Sequence, residues 1–261
     1  MGSPIEFPGC HESTVPHSRQ FQNVIVMRHG DRLDNFDPLW INTTNRPWDP
    51  PLTEDGLQRA FTTGCKFREL DYPIHRIFVS PFLRCIQTAS KVVSALLSTA
   101  GSVPQTKHSH LKVSIEYGLC EMLNNVAMRK DAASDGTVFT FELTELEKWF
   151  PADTIDHDVE MIYNEMPNWG ETVEECRSRY RETMKALGDR YPSEGIVLIS
   201  HGEAVGASVR EAMTDMEVID VEYCAYAELR REVASHAFEF LTHPTKTGIQ
   251  LFNLPDHFAN K

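Results

Sequence analysis

Short β-branched runs alternate along the chain with longer stretches whose apolar residues recur every three or four positions. Residues 23–27, Asn-Val-Ile-Val-Met, make one such run and predict a strand buried on both faces. A loop containing Pro and Trp follows, from about residue 34 to 51. Thr53 is placed to cap a helix in which Leu57, Phe61, Gly64 and Phe67 share one face. Residues 76–79 predict a second buried strand. Ser80-Pro81 then reads as a helix start, a capping hydroxyl followed by proline at the first helical position. Leu83, Ile86, Val93, Leu96 and Leu97 would face inward on that helix, and Gly101 would end it. Residues 111–115 alternate as a third strand.

From residue 119 to 169 the pattern weakens into acidic, turn-rich sequence with one amphipathic stretch near 139–150. This region, about 120–170, is expected to be an insertion over the core. Regularity returns with a helix over 172–190, where Val173, Cys176, Tyr180, Met184, Leu187 and Tyr191 line one side. Residues 195–199 predict a fourth buried strand, 202–213 a further helix, and 223–229 and 237–241 two later strands. The alternation predicts an α/β three-layer sandwich, with helices on both faces of a mostly parallel central sheet. No linker interrupts the chain after residue 22, so a polar leader over 1–22 would precede a single domain over 23–261.

Charge narrows the partners. Lys and Arg total 25 against 38 Asp and Glu, a formal net charge of −13. That balance argues against nucleic acid and against a polybasic membrane surface, yet it permits an anionic substrate held by a few clustered arginines. No stretch approaches the ~20 apolar residues of a membrane span. The leader, with Pro4, Pro8 and Pro16, lacks the apolar core of a signal peptide, and Glu6 departs from the myristoylation pattern. Six scattered cysteines without a C-x-x-C pair suit free thiols, so a cytoplasmic protein is expected. A homodimer is compatible with the sequence.

Two predicted strands run into related tripeptides, Arg28-His29-Gly30 and Ser200-His201-Gly202. The carboxyl ends of strands in an open α/β sheet line its ligand crevice. Both histidines should sit there, each followed by a glycine that permits a sharp turn and close approach of a ligand. Arg28 and Arg32 flank His29, and Arg84 opens the helix after the second strand. Guanidinium forks match phosphate oxygens and stay charged when desolvated. Three arginines and two histidines at one edge therefore fit phosphoryl transfer.

These residues resemble the histidine phosphatase superfamily, also called phosphoglycerate-mutase-like. The resemblance spans residues 24–241. It rests on Val-Met-Arg-His-Gly at 26–30, Pro-Leu-Thr-Glu-Asp-Gly at 51–56, Val-Ser-Pro-Phe-Leu-Arg-Cys-Ile-Gln-Thr-Ala at 79–89 and Leu-Ile-Ser-His-Gly at 198–202. It implies that His29 is the nucleophile, forming a phosphohistidine. Arg28, Arg32, Arg84 and His201 would hold the phosphoryl group, and Glu121 would be the proton donor. Asp31 stands where one branch of the family has glutamate.

Phosphoglycerate mutases carry Ser at the position of Arg32 and a Trp-Asn pair at 34–35, where this chain has Asp34-Asn35. Hydrolysis of a phosphomonoester, small or protein-borne, is therefore expected, with a phosphoglycerate-mutase-type phosphotransferase or a catalytically weak phosphate-binding scaffold as alternatives. The local pattern looks most like the phosphatase domain of suppressors of T-cell receptor signalling, which act on phosphotyrosine proteins and whose relatives act on steroid phosphates. No metal and no organic cofactor are expected. Residues 36–48, with Trp40, and Trp169 either wall an aromatic pocket or pack the insertion onto the core. His108 and His110 lack further ligands nearby. Asp156-His157-Asp158 reads as a solvated acidic turn.

Overall fold

The buried apolar runs assemble side by side. In a computed structural model, which describes residues 19–98, 110–241 and 247–253, six strands form one sheet in the order β3-β2-β4-β1-β6-β7. They are β1 (Phe21–Arg28), β2 (Arg76–Val79), β3 (Lys112–Ile115), β4 (Ile196–Ser200), β6 (Tyr226–Glu232) and β7 (Phe238–Phe240). The first four are parallel, whereas β6 pairs antiparallel with β1, and β7 antiparallel with β6. Helices α1 (Glu54–Glu69) and α2 (Leu83–Leu97) cover one face, while α4 (Val173–Arg190) and α5 (Gly202–Ala212) cover the other. Alternation along β1 explains the apolar run at its centre, residues 24–27. Ile25 and Met27 pack toward α1 and α2; Val24 and Val26 pack toward α4 and α5. The expected three-layer arrangement is the one observed.

Local details differ in instructive ways. Strand β1 begins two residues earlier than expected, at Phe21, because it is zipped against β6 as far as Glu232. Ser80 does not cap α2. The chain bends at Pro81 and Phe82, and α2 starts only at Leu83, with the extended Phe82 as its N-cap. The Leu83 amide is instead capped from a distance by the buried Asp49 carboxylate at 2.7 Å. That helix ends at Leu97 with Ser98 as its C-cap; Gly101, His108 and leader residues 1–18 lie outside the described residues. Two strands escaped the sequence pattern, β5 (Met216–Val221) and β8 (Ile249–Asn253), which pair antiparallel as a separate ribbon.

The region after β3 is mostly irregular, with one short helix, α3 (Leu143–Glu147). It is anchored by Glu116, a buried carboxylate that accepts the amides of Gly118, Ile162 and Tyr163 at 2.8, 2.6 and 3.0 Å. Arg179 of α4 donates to the carbonyls of Gly118 and Cys120 at 2.8 and 2.9 Å. These bonds fix the backbone leading into Glu121. Thr172 and Glu175 form a reciprocal capping box at the start of α4, so the helix begins at the residue after Thr172.

Candidate active site

Strand register alone brings the two histidines together. Arg28 pairs with Ser200 across β1 and β4, and the His29 amide donates to the Ser200 carbonyl at 2.9 Å. His29 and His201 therefore leave adjacent parallel strands at the same edge, with ring centroids 5.4 Å apart. Ser80, just beyond β2, joins them, its amide bonded to Ile199. The loop after β1 passes very close to α1. A Cβ on Gly30 would lie 2.8 Å from the Gly56 carbonyl oxygen, and one on Gly56 would lie 2.6 Å from that of Asp31. Gly30 thus serves backbone approach to α1. Gly202 has only ordinary contact distances around it, so neither glycine plays the sharp-turn role expected from the tripeptides.

His29 is buried, with Nδ1 2.7 Å from the Gly30 carbonyl oxygen. That carbonyl can only accept, so Nδ1 carries the proton and Nε2 presents its lone pair. Burial, reinforced by the charges of Arg84 and Arg28 and by His201, holds its pKa well below the usual histidine range. The ring is neutral and nucleophilic at neutral pH. His201 is also buried, and burial pushes its pKa down to about 4 against the opposing pull of Glu121. Its Nδ1 lies 3.0 Å from Glu121 Oε2 and its Nε2 3.0 Å from Ser80 Oγ. A neutral ring satisfies both contacts if Nδ1–H donates to the carboxylate and the Ser80 hydroxyl donates to Nε2. Burial pushes the Glu121 carboxyl up, but His201 and Arg84 more than reverse this and leave it well below the usual carboxylate range.

Arg84 is completely buried. Its Nη2 donates to Glu121 Oε2 at 3.2 Å, while Nε and Nη1 have no hydrogen-bond partner. A buried guanidinium with idle donors is costly unless an anion normally completes it. Arg28 borders the same space. Its guanidinium lies 4.2 Å from the Tyr223 ring centroid, one Nη donates to the Val221 carbonyl, and Nε is buried without a partner. Arg32 differs: Nε and Nη2 both donate to Asp34 at 2.7 Å, so only Nη1 of its terminal nitrogens is free of that fork. Arg84, Glu121, His29 and His201 therefore form one cluster, Arg28 flanks it, and Arg32 stands at its edge already clasped by a carboxylate.

The ligating atoms of His29, Glu121 and His201 lie within 4.8 Å of one another, close enough to converge on a metal ion. Arg84 and Arg28 beside them make the local field positive, which suits an anion better than a cation. Two neighbours were not anticipated. Ser80, read as a helix cap, is the hydroxyl partner of His201. Tyr223 lies 5.8 Å from the His29 ring and is held by a turn in which Cys224, at a φ of +59°, donates its amide to the His29 carbonyl at 3.1 Å.

Ser80 at a strand's carboxyl end was a readable signal; nothing local marks Tyr223. Of the two roles expected for the aromatic residues, Trp48 and Trp169 take the packing one. Trp48 is buried against Phe82, Phe139 and Phe141, and Trp169 stacks on Phe139, so both pack the insertion onto the core. Phe36, by contrast, is 64% exposed. Asp156 is no free acidic turn, since it pairs with Arg76 at 2.6 Å.

Residues 24–238 match the family model described as Histidine phosphatase superfamily (branch 1). The chain is 25% identical over 219 residues to Homo sapiens Ubiquitin-associated and SH3 domain-containing protein A, covering 72% of this chain and 31% of that protein. It is 26% identical over 247 residues to the Ecdysteroid-phosphate phosphatase of Bombyx mori, covering 79% of this chain and 34% of that one. The chain spans about a third of the length of these curated relatives. The crystal structure of the Bombyx mori ecdysone phosphate phosphatase in complex with tungstate superposes with a TM-score of 0.62 at 22% identity, covering 85% of this chain and 93% of that one. A phosphoglycerate mutase from Bacillus anthracis superposes with a TM-score of 0.54 at 17% identity, covering 86% and 93%. These two likenesses establish the shared fold. With the four motifs placed at the ends of its parallel strands and helices, and the family model matched over most of its length, the chain belongs to branch 1 of the histidine phosphatase superfamily.

Proposed function

We propose that this domain hydrolyses phosphomonoesters through a phosphohistidine on His29, without a metal ion. One observation carries the reading: a neutral His29 with Nε2 free, beside a fully buried Arg84 that has two nitrogens without partners. In the first step Nε2 attacks phosphorus in line, and the bond to the leaving oxygen breaks. Arg84, Arg28 and the remaining donor of Arg32 hold the equatorial oxygens as charge redistributes. Glu121 supplies the proton to the leaving oxygen. The carboxyl is ionised before substrate arrives; the negative phosphoryl group then raises its proton affinity, so that Glu121 takes up the proton it will donate from the phosphate monoanion or from solvent as the substrate binds. His201, fixed between Glu121 and Ser80, keeps the carboxylate oriented. In the second step water attacks the phosphohistidine and releases inorganic phosphate, with Glu121 now accepting the proton.

Relatives named as phosphatases support hydrolysis, as does Arg32 at the position where mutases carry Ser. Rapid quench of the protein during turnover of a labelled phosphomonoester tests the reading. Acid-labile, base-stable label is expected on the wild type and none on His29→Ala. Unchanged hydrolysis by His29→Ala with no trapped label would overturn it. Transfer of label to 3-phosphoglycerate in preference to water would favour the mutase alternative.

A further inference from the structure

Asp34 is a completely buried carboxylate to which the two-step mechanism assigns no part. Its oxygens face the Arg32 fork, each accepting one bond of 2.7 Å from Nε and Nη2. The backbone of Arg32 is set independently, by its bridge to Leu52 and by the Leu33 amide bonded to the Pro51 carbonyl at 2.8 Å. Asp34 therefore governs where the guanidinium points rather than where the loop runs.

A second arginine reaches the same residue from the insertion. Arg129 Nη1 donates to the Asp34 backbone carbonyl at 2.9 Å and lies 3.9 Å from its Oδ2. Asp131, two residues on, holds Arg129 by a fork of its own at 3.0 and 2.8 Å. The adjacent Asn35 donates to the hydroxyl of Tyr223, which stands over His29.

Resting on the phosphatase reading of this site, we propose that Asp34 is a positioning residue. It holds the Arg32 guanidinium so that Nη1 is presented to the substrate phosphate, and through Arg129 it makes that grip depend on the insertion. A bidentate carboxylate fixes the guanidinium plane and rotamer in advance, so little ordering remains when the anion binds. The effect should fall on substrate affinity, not on the chemical step at His29.

Affinity for inorganic phosphate, measured by calorimetry without turnover, tests the proposal alongside KM and kcat. Asp34→Asn is expected to weaken phosphate binding and raise KM by about tenfold, with kcat within about threefold of wild type. Arg129→Gln should weaken both affinities by about two- to threefold. In an Arg32→Met background, Asp34→Asn should add no further loss. Wild-type phosphate affinity in Asp34→Asn, or an equal loss in the Arg32→Met background, would overturn the proposal. Should Asp34→Asn give no cooperative melt, Arg129→Gln decides: unchanged phosphate affinity and KM overturn it. Failure to trap a phosphoryl group on the wild type would remove the enzymatic reading, while this pattern of phosphate affinities would still stand.

Discussion

Arg84 and Arg179 are both buried close to Cys120 and Glu121, yet their surroundings differ in kind. Arg179 is saturated. Its Nε and Nη2 donate to the Glu171 carboxylate at 2.7 Å each, and Nη1 donates to two carbonyls. Arg84 shares one Glu121 oxygen with His201 and leaves two nitrogens idle. The first arginine is bound by the fold to build the fold. The second keeps donors to spare, as the proposed phosphate pocket requires. Burial of an arginine is therefore uninformative until its donors are accounted for one by one.

Substitution separates the two most sharply. Arg84→Met should lower kcat/KM by about a thousandfold, the upper range for loss of a preorganised donor to developing charge. Its unfolding free energy should fall by less than that of Arg179→Met, because Glu121 keeps the bond from His201 Nδ1–H and loses a single contact of 3.2 Å, whereas Glu171 loses both bonds of a fork. Arg179→Met should do the reverse. It strands the buried Glu171 carboxylate, at a cost of about 3–5 kcal/mol in chemical denaturation, and the folded fraction should keep its kcat. Similar stability losses in the two variants would dissolve the distinction.

Acid is the next lever. The fold holds His201 neutral with a pKa pushed down to about 4, whereas an unfolded histidine protonates near 6.5. Its contribution to stability is full above about pH 6.5 and drains away as pH falls toward 4. The lowered carboxyl of Glu121 acts in the same direction at still lower pH. Thermal melts across pH 7 to 4 should show that decline. Because Arg84 helps depress both histidines, Arg84→Met should lose its residual activity at a higher pH than wild type does. An unchanged acid limb would count against charge coupling between them. The smallest expected effect is that of Ser80→Ala. It removes the hydroxyl donated to neutral His201, so kcat/KM should fall by about three- to tenfold and the His201 pKa, followed by NMR, should rise above about 4.

The contrast also marks how far the sequence could be read. Strand β2 emerged at its expected residues because the buried Ile77, Phe78 and Val79 make an apolar run bounded by the polar Arg76 and Ser80. The start of α4 was legible for an equally local reason, the Thr172 and Glu175 capping pair. Strands β5 and β8 were not. They are half exposed and hold each other across 30 or so residues, so neither segment carries its own signal. In the site, His29, His201 and Arg84 followed from the strand-end rule, whereas Glu121 needed family resemblance, since an acidic residue in an irregular loop looks like any other. Ser80 was seen and assigned the wrong task. That Arg32 would be bound by Asp34, and that Tyr223 would stand over His29, depends on tertiary contacts that spacing does not encode.

The proposed mechanism requires His29 to present one particular nitrogen, and that can be measured. Phosphohistidine isomers are distinguishable by ³¹P NMR of the denatured, base-stabilised intermediate and by peptide mapping. With Nδ1 engaged by the Gly30 carbonyl, the phosphoryl group should be found on His29 and on its Nε2. Phosphorylation at Nδ1, or on any residue other than His29, would contradict it.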